Sequence, residues 1–98
     1  MNKLGNKLRE LREGKGLLLR QVAAYLETDT AFVSKLERNE RKAKREQVLQ
    51  LASLFEYSSK ELFTLWLSDQ IYELVKNEET ATDSLKITLE TIERKDEQ

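Results

Sequence analysis

The residues with usable chemistry concentrate between Leu19 and Arg45. At 100° per residue, Thr30, Ala31, Ser34, Lys35 and Arg38 share one arc of a helix whose opposite side carries Val33 and Leu36. That arc offers hydroxyl donors and acceptors, a methyl group and two cations, and it is free to touch something else. Bond-making chemistry has no comparable set. The 98 residues contain neither His nor Cys, which excludes thiol chemistry, the common zinc sites and His-dependent catalytic dyads. Carboxylates are plentiful but scatter over helix faces without the spacing of a paired acid and base, so the chain reads as a non-enzyme with no cofactor.

Positive charge is grouped in the same region. The segment Asn39-Glu40-Arg41-Lys42-Ala43-Lys44-Arg45 is too polar to be buried and reads as a loop. Residues 1–45 carry 12 Lys/Arg against 6 Asp/Glu, a balance of +6, and residues 46–98 carry 5 against 12, a balance of −7, which together give the net charge of −1. The near-neutral total conceals a basic half that holds the polar arc and an acidic half beyond it. Uneven solvation of helix faces is the plainer account of that split.

The elements that must position the arc are helices throughout. Leu4, Leu8 and Leu11 make one stripe over residues 2–13, and Gly14 and Gly16 end that helix. Leu17, Leu18 and Leu19 are a short apolar run expected in the core. Leu19, Val22, Ala23 and Leu26 then give one face of a second helix. Glu27-Thr28-Asp29 breaks the period, and Thr28 or Asp29 can cap a third helix starting near Asp29. A small Ala23 lets the two helices cross closely. Val48, Leu51, Ala52 and Phe55 mark a fourth helix over 45–55, and Ser58-x-x-Glu61 is a capping-box start for a fifth that runs to about Asn77. A weaker capping signal at Thr80 to Asp83 opens a last helix with Leu85, Leu89 and Ile92 at i, i+4 and i+7, and the charged tail from Glu93 to Gln98 is expected to fray.

Ala23, Val33, Leu36 and Glu37-Arg38-Asn39 resemble the helix-turn-helix of phage-repressor-like (Cro/C1, XRE) regulators, over roughly residues 3 to 57. The resemblance implies an all-α fold: a five-helix repressor-like domain, here with an extended fifth helix and an additional C-terminal helix. It divides the chain into a DNA-binding domain over 1–57 and a helical extension over 58–98. Two positions depart from the family pattern. Glu27 stands where a turn Gly is usual, which forces a non-Gly residue into an uncomfortable backbone conformation. Leu18 and Leu19 replace the usual polar pair at the start of the second helix, so Arg20 or Gln21 must supply any contact there. Asn39 stands where a helix-ending Gly is frequent, and Asn tolerates that left-handed position next best.

The resemblance implies a double-stranded DNA partner. The third helix would lie in the major groove with Thr30, Ala31, Ser34 and Lys35 at base edges: Lys35 donating to guanine N7 or O6, Thr30 and Ser34 donating or accepting, and Ala31 meeting a thymine methyl. Phe32 borders the arc and is assigned to the core. Arg20, Gln21, Arg38, Arg41, Lys42 and Lys44 would hold phosphates, which supply affinity and register.

The fifth helix is apolar on two faces and needs two partners. Its Trp66, Ile71 and Tyr72, with Leu85, Leu89 and Ile92 of the last helix, are the expected homodimer surface, unless the last helix folds back over Trp66 and Tyr72. A dimeric, sequence-specific transcriptional regulator on a pseudopalindromic operator is the first reading. Small size and the Glu40-Arg41-Lys42-Ala43 segment, found after the recognition helix in small controllers, favour a restriction-modification controller among phage-type and antitoxin-like alternatives. The second reading is a protein-interaction module, antitoxin-like, that keeps the fold and has lost DNA binding. Neither reading calls for a small-molecule ligand. No apolar run is long enough for a membrane span, and the N-terminus lacks the apolar stretch of a secretory signal, so the cytoplasm is the expected location.

Overall fold

The leucine, valine and alanine periodicities resolve into six helices in the computed structural model, which describes residues 3–96. They are α1 (Leu4–Gly14), α2 (Leu19–Leu26), α3 (Thr30–Glu37), α4 (Arg45–Leu54), α5 (Ser59–Val75) and α6 (Ala81–Asp96). No strand occurs among the described residues. One core joins α1 through α5: Leu4 and Leu8, Val22, Ala23 and Leu26, Val33 and Leu36, Val48, Leu51, Ala52 and Phe55, and Leu62 from the start of α5. Ala43 reaches into it from the loop between α3 and α4. The expected core stripes of the first four helices are therefore the observed ones.

Two expectations are corrected. Leu18 is not a core residue but is 48% exposed, because it is the extended N-cap of α2 (φ −89°, ψ 156°) and its side chain turns away while Leu17 and Leu19 pack inward. The helical register of α6 persists to Asp96, well into the segment expected to fray; residues 97 and 98 lie outside the described part.

Helix ends repeat one device. After α1, α2, α3 and α4 a left-handed residue (Gly16, Glu27, Asn39 and Glu56, with φ of 68°, 58°, 65° and 52°) turns the chain. In each, the following N–H reaches back five residues: Leu17 to Arg12 O, Thr28 to Ala23 O, Glu40 to Lys35 O and Tyr57 to Ala52 O, at 2.8–3.0 Å. Only the first uses Gly. A left-handed L-residue costs about 1–2 kcal/mol, whereas Gly loses about 0.5–1 kcal/mol more backbone entropy on folding. Glu27→Gly should therefore raise stability by about 0.5–1 kcal/mol, read as an increased urea midpoint at constant slope; a lowered midpoint would show that the turn is not strained.

Four helix starts are closed by side chains nearby in sequence, that of α2 by Gln21 Oε1, which accepts from Leu18 N–H at 2.7 Å. Asp29 Oδ1 accepts from Phe32 N–H at 2.7 Å, Ser58 Oγ from Glu61 N–H at 3.1 Å, and Gln47 Oε1 from Lys44 N–H at 2.9 Å. The start of α1 is closed from far away. Asp69 on α5 accepts from Lys3 N–H at 2.8 Å and from Leu4 N–H at 3.0 Å, placing a carboxylate at the positive end of the helix.

Beyond Trp66, α5 leaves the core. Leu67, Ile71, Tyr72 and Leu74 are exposed, and α6 buries none of its residues and leaves Leu85, Ile87, Leu89 and Ile92 open. The last helix therefore does not fold back as a cover over Tyr72, which is 46% exposed.

Candidate nucleic-acid interface

The packing of α3 determines which of its residues face outward. Val33 and Leu36 are 2% and 4% exposed and pin the helix against α1 and α2, so Thr30, Ala31 and Lys35 are left exposed and Ser34 half-exposed on the far side. The four residues expected at base edges thus share one open face. Phe32, half-buried against the core, flanks it.

A buried ion pair holds α3 in this orientation. Glu37, at the end of α3, takes the Arg12 guanidinium in two hydrogen bonds, Nε to Oε2 at 2.7 Å and Nη2 to Oε1 at 3.1 Å, with both side chains largely buried. Arg12 also donates from Nη1 to Leu17 O at 2.9 Å, so one guanidinium joins α1, the α1–α2 connection and α3. The Glu37 hydrogen bonds raise the Arg12 pKa beyond its already high value, so the guanidinium stays charged. Gly5 of α1 lets the same region close: a Cβ there would stand 2.3 Å from Asn39 Oδ1, 2.6 Å from Leu36 O and 2.8 Å from Glu37 O.

Cations expected at phosphates are all exposed. Arg41 lies over the Phe32 ring, 5.2 Å from its centroid, which brings the loop beside the first turn of α3. Lys42 stands 5.7 Å over the Trp66 ring, and Arg38 pairs with Glu40 at 3.2 Å on the surface. Gln21 has a second task. Its Oε1 caps α2 by accepting from Leu18 N–H at 2.7 Å, which leaves its amide N–H groups as the donors available to a phosphate. Leu18 itself makes no side-chain cap hydrogen bond, so Gln21 satisfies the Leu18 N–H and does not replace a polar side chain at position 18.

Sequence reasoning named Glu37 in the family resemblance and Arg45 in the basic run without giving either a contact, and gave no role to Arg12, Gly5 or Asp69. The guanidinium of Arg45 lies 5.2 Å from the ring centroids of both Phe63 and Trp66. It closes the basic run that begins at Arg41, and that continuity was the one signal that could have found it. Trp66 turns its N–H to its own chain, donating to Ala43 O at 2.8 Å. Among the described residues no cluster of acidic side chains could hold a metal ion, and no helix is long and apolar enough to cross a membrane.

This architecture, with a short helix held across the core and its open face bordered by cations, is that of a helix-turn-helix protein. The helix-turn-helix domain model matches residues 3–63, and the chain belongs to that family. Residues 64–96, which include the outer part of α5 and all of α6, lie beyond the matched segment. Among solved structures, the chain is similar to the restriction-modification controller protein C.AhdI from Aeromonas hydrophila, at 34% identity and a TM-score of 0.55, over 60% of this chain and 86% of that one. A search of curated proteins gives no significant match. The helix-turn-helix fold suggests a DNA-binding regulatory role.

Proposed function

We propose that this protein is a sequence-specific DNA-binding transcriptional regulator that acts as a homodimer on a pseudopalindromic operator, and that it serves as a controller of restriction-modification genes. The observation that carries the reading is the open face of α3, where Thr30, Ala31, Ser34 and Lys35 stand opposite the buried Val33 and Leu36, with Arg41 beside them. Helices of this width enter the major groove, and these side chains suit its donors, acceptors and thymine methyls. Arg20, Gln21, Arg38, Arg41, Lys42 and Lys44 hold phosphates on either side. Likeness to a restriction-modification controller supports the choice of circuit.

One recognition helix reads only a few base pairs, and a two-fold dimer places two of them about 34 Å apart on successive major grooves. Ile71 and Tyr72 on α5, with Leu85, Leu89 and Ile92 on α6, are exposed apolar side chains suited to joining two copies, whereas Trp66, also expected at that surface, is half-buried and turned to its own loop. An isolated α6 of 16 residues is marginal in water by itself, which favours its being covered by a partner.

Selection of duplexes from a random pool, followed by sedimentation of the complex, tests the whole reading. Enriched sequences should be two-fold repeats bound by two chains. Lys35→Ala should weaken the selected duplex by about 1–3 kcal/mol and relax preference at one position in each half-site, with the melting temperature unchanged. A pool with no enrichment, or a monomer at tens of micromolar, defeats the proposal.

A further inference from the structure

The single tryptophan of the chain lies on α5, and its polar contact and two cations tie it to the basic loop. Its Nε1–H donates to Ala43 O at 2.8 Å, while the Ala43 side chain is 2% exposed in the core. Lys42 Nζ and the Arg45 guanidinium stand 5.7 Å and 5.2 Å from its ring centroid. Phe63, a turn earlier, meets the indole edge to face at 5.9 Å and shares Arg45. Beside these contacts runs a groove of about 640 Å³, bordered by Leu4, Asn39, Arg41, Lys42, Trp66 and Leu74. Among the described residues, the Trp66 N–H makes the side-chain hydrogen bond from α5 to this loop.

We propose that Trp66 is a positioning residue for DNA binding: it anchors the Ala43 carbonyl and offers its ring to Lys42 and Arg45, fixing where the loop's cations meet the phosphate backbone. The inference rests on the DNA-binding reading above. Long basic side chains lose rotamer freedom when they contact a phosphate, and a loop must be ordered as well, so a loop held beforehand binds more tightly. An aromatic face holds a cation loosely enough for it to transfer its hydrogen bonds to an anion. Without the indole N–H, the Ala43 carbonyl must find another donor, and the loop shifts with it.

The test compares the full-length wild type with W66F, K42A and the double variant, on a duplex selected from a random pool by the wild type. W66F keeps an aromatic ring against Phe63 and removes the donor. Binding is followed across salt concentrations, with melting and sedimentation at matched concentrations. W66F should bind selected and unrelated duplexes alike about 5- to 30-fold more weakly, equivalent to about 1–2 kcal/mol. Its salt slope should fall by about 0.9, and K42A should cost less in the W66F background than in the wild type. Unchanged affinity and slope overturn the inference, as do effects of the two substitutions that multiply independently. A loss that only tracks a weaker dimer also overturns it, since Trp66 would then act through assembly. In the wild type, duplex addition should reduce acrylamide quenching of the lone tryptophan; unaltered quenching contradicts the inference even if W66F does not fold. Failure of the wild type to bind any duplex defeats the DNA-binding reading itself and is distinguishable from every one of these results.

Discussion

Glu37→Ala should cost about 3–5 kcal/mol of folding stability, because it leaves a buried guanidinium with Leu17 O as its remaining acceptor. A guanidinium is so basic by nature that no accessible pH relieves the uncompensated charge. A small domain has about 5–15 kcal/mol in all, so the variant should be extensively unfolded at modest urea concentrations. The pair itself is a different matter. Replacing both partners, Arg12→Met with Glu37→Leu, removes the desolvation cost together with the attraction and should recover most of the wild-type stability. Urea melts of the two variants separate these cases. A loss below about 1 kcal/mol in Glu37→Ala would show that Arg12 reaches water in solution and that the pair does not hold α3.

Replacing Arg41, Lys42 and Lys44 together by Gln should leave the fold intact, since all three are exposed. DNA affinity should nevertheless fall by about 10²- to 10³-fold near 0.1 M salt, and the slope of log affinity against log salt should drop by about 2.7, or about 0.9 for each phosphate that the variant no longer neutralises. Selected and unrelated duplexes should weaken alike, because phosphates position the protein without reporting sequence. That result contrasts with Lys35→Ala, where the ratio between sequences should change. A salt slope that moves by less than about 1 in the triple variant would mean that the loop is solvated and that other cations meet the backbone.

The order of these effects follows from where each interaction lies. Arg12 and Glu37 are buried and have few alternatives when a partner is removed, so the expected cost falls on folding. The loop cations are exposed and contribute little to the folded state alone, so their cost appears when DNA is present.

The sequence by itself determined the helices, their inward stripes and the face that α3 leaves open. Those are short-range properties: a period of 3.6 residues assigns Val33 and Leu36 to one side of α3 and Thr30, Ala31, Ser34 and Lys35 to the other, and Asp29 and Ser58 cap the residues three positions on. Even the strain at Glu27 was legible, because a turn that needs a left-handed residue must impose that conformation on whatever stands there. Only the tertiary structure decided which polar residues hold the assembly together. Arg12 and Glu37 lie 25 positions apart, Ala43 and Trp66 23, and Lys3 and Asp69 66. Each of these residues is ordinary in its own segment, and its role exists only once another segment is brought against it. The same reason explains Leu18, whose apolar type indicated burial while the extended backbone at the start of α2 turned it outward. Type and spacing report what a residue can do; the packing of distant segments selects the partner with which it does so.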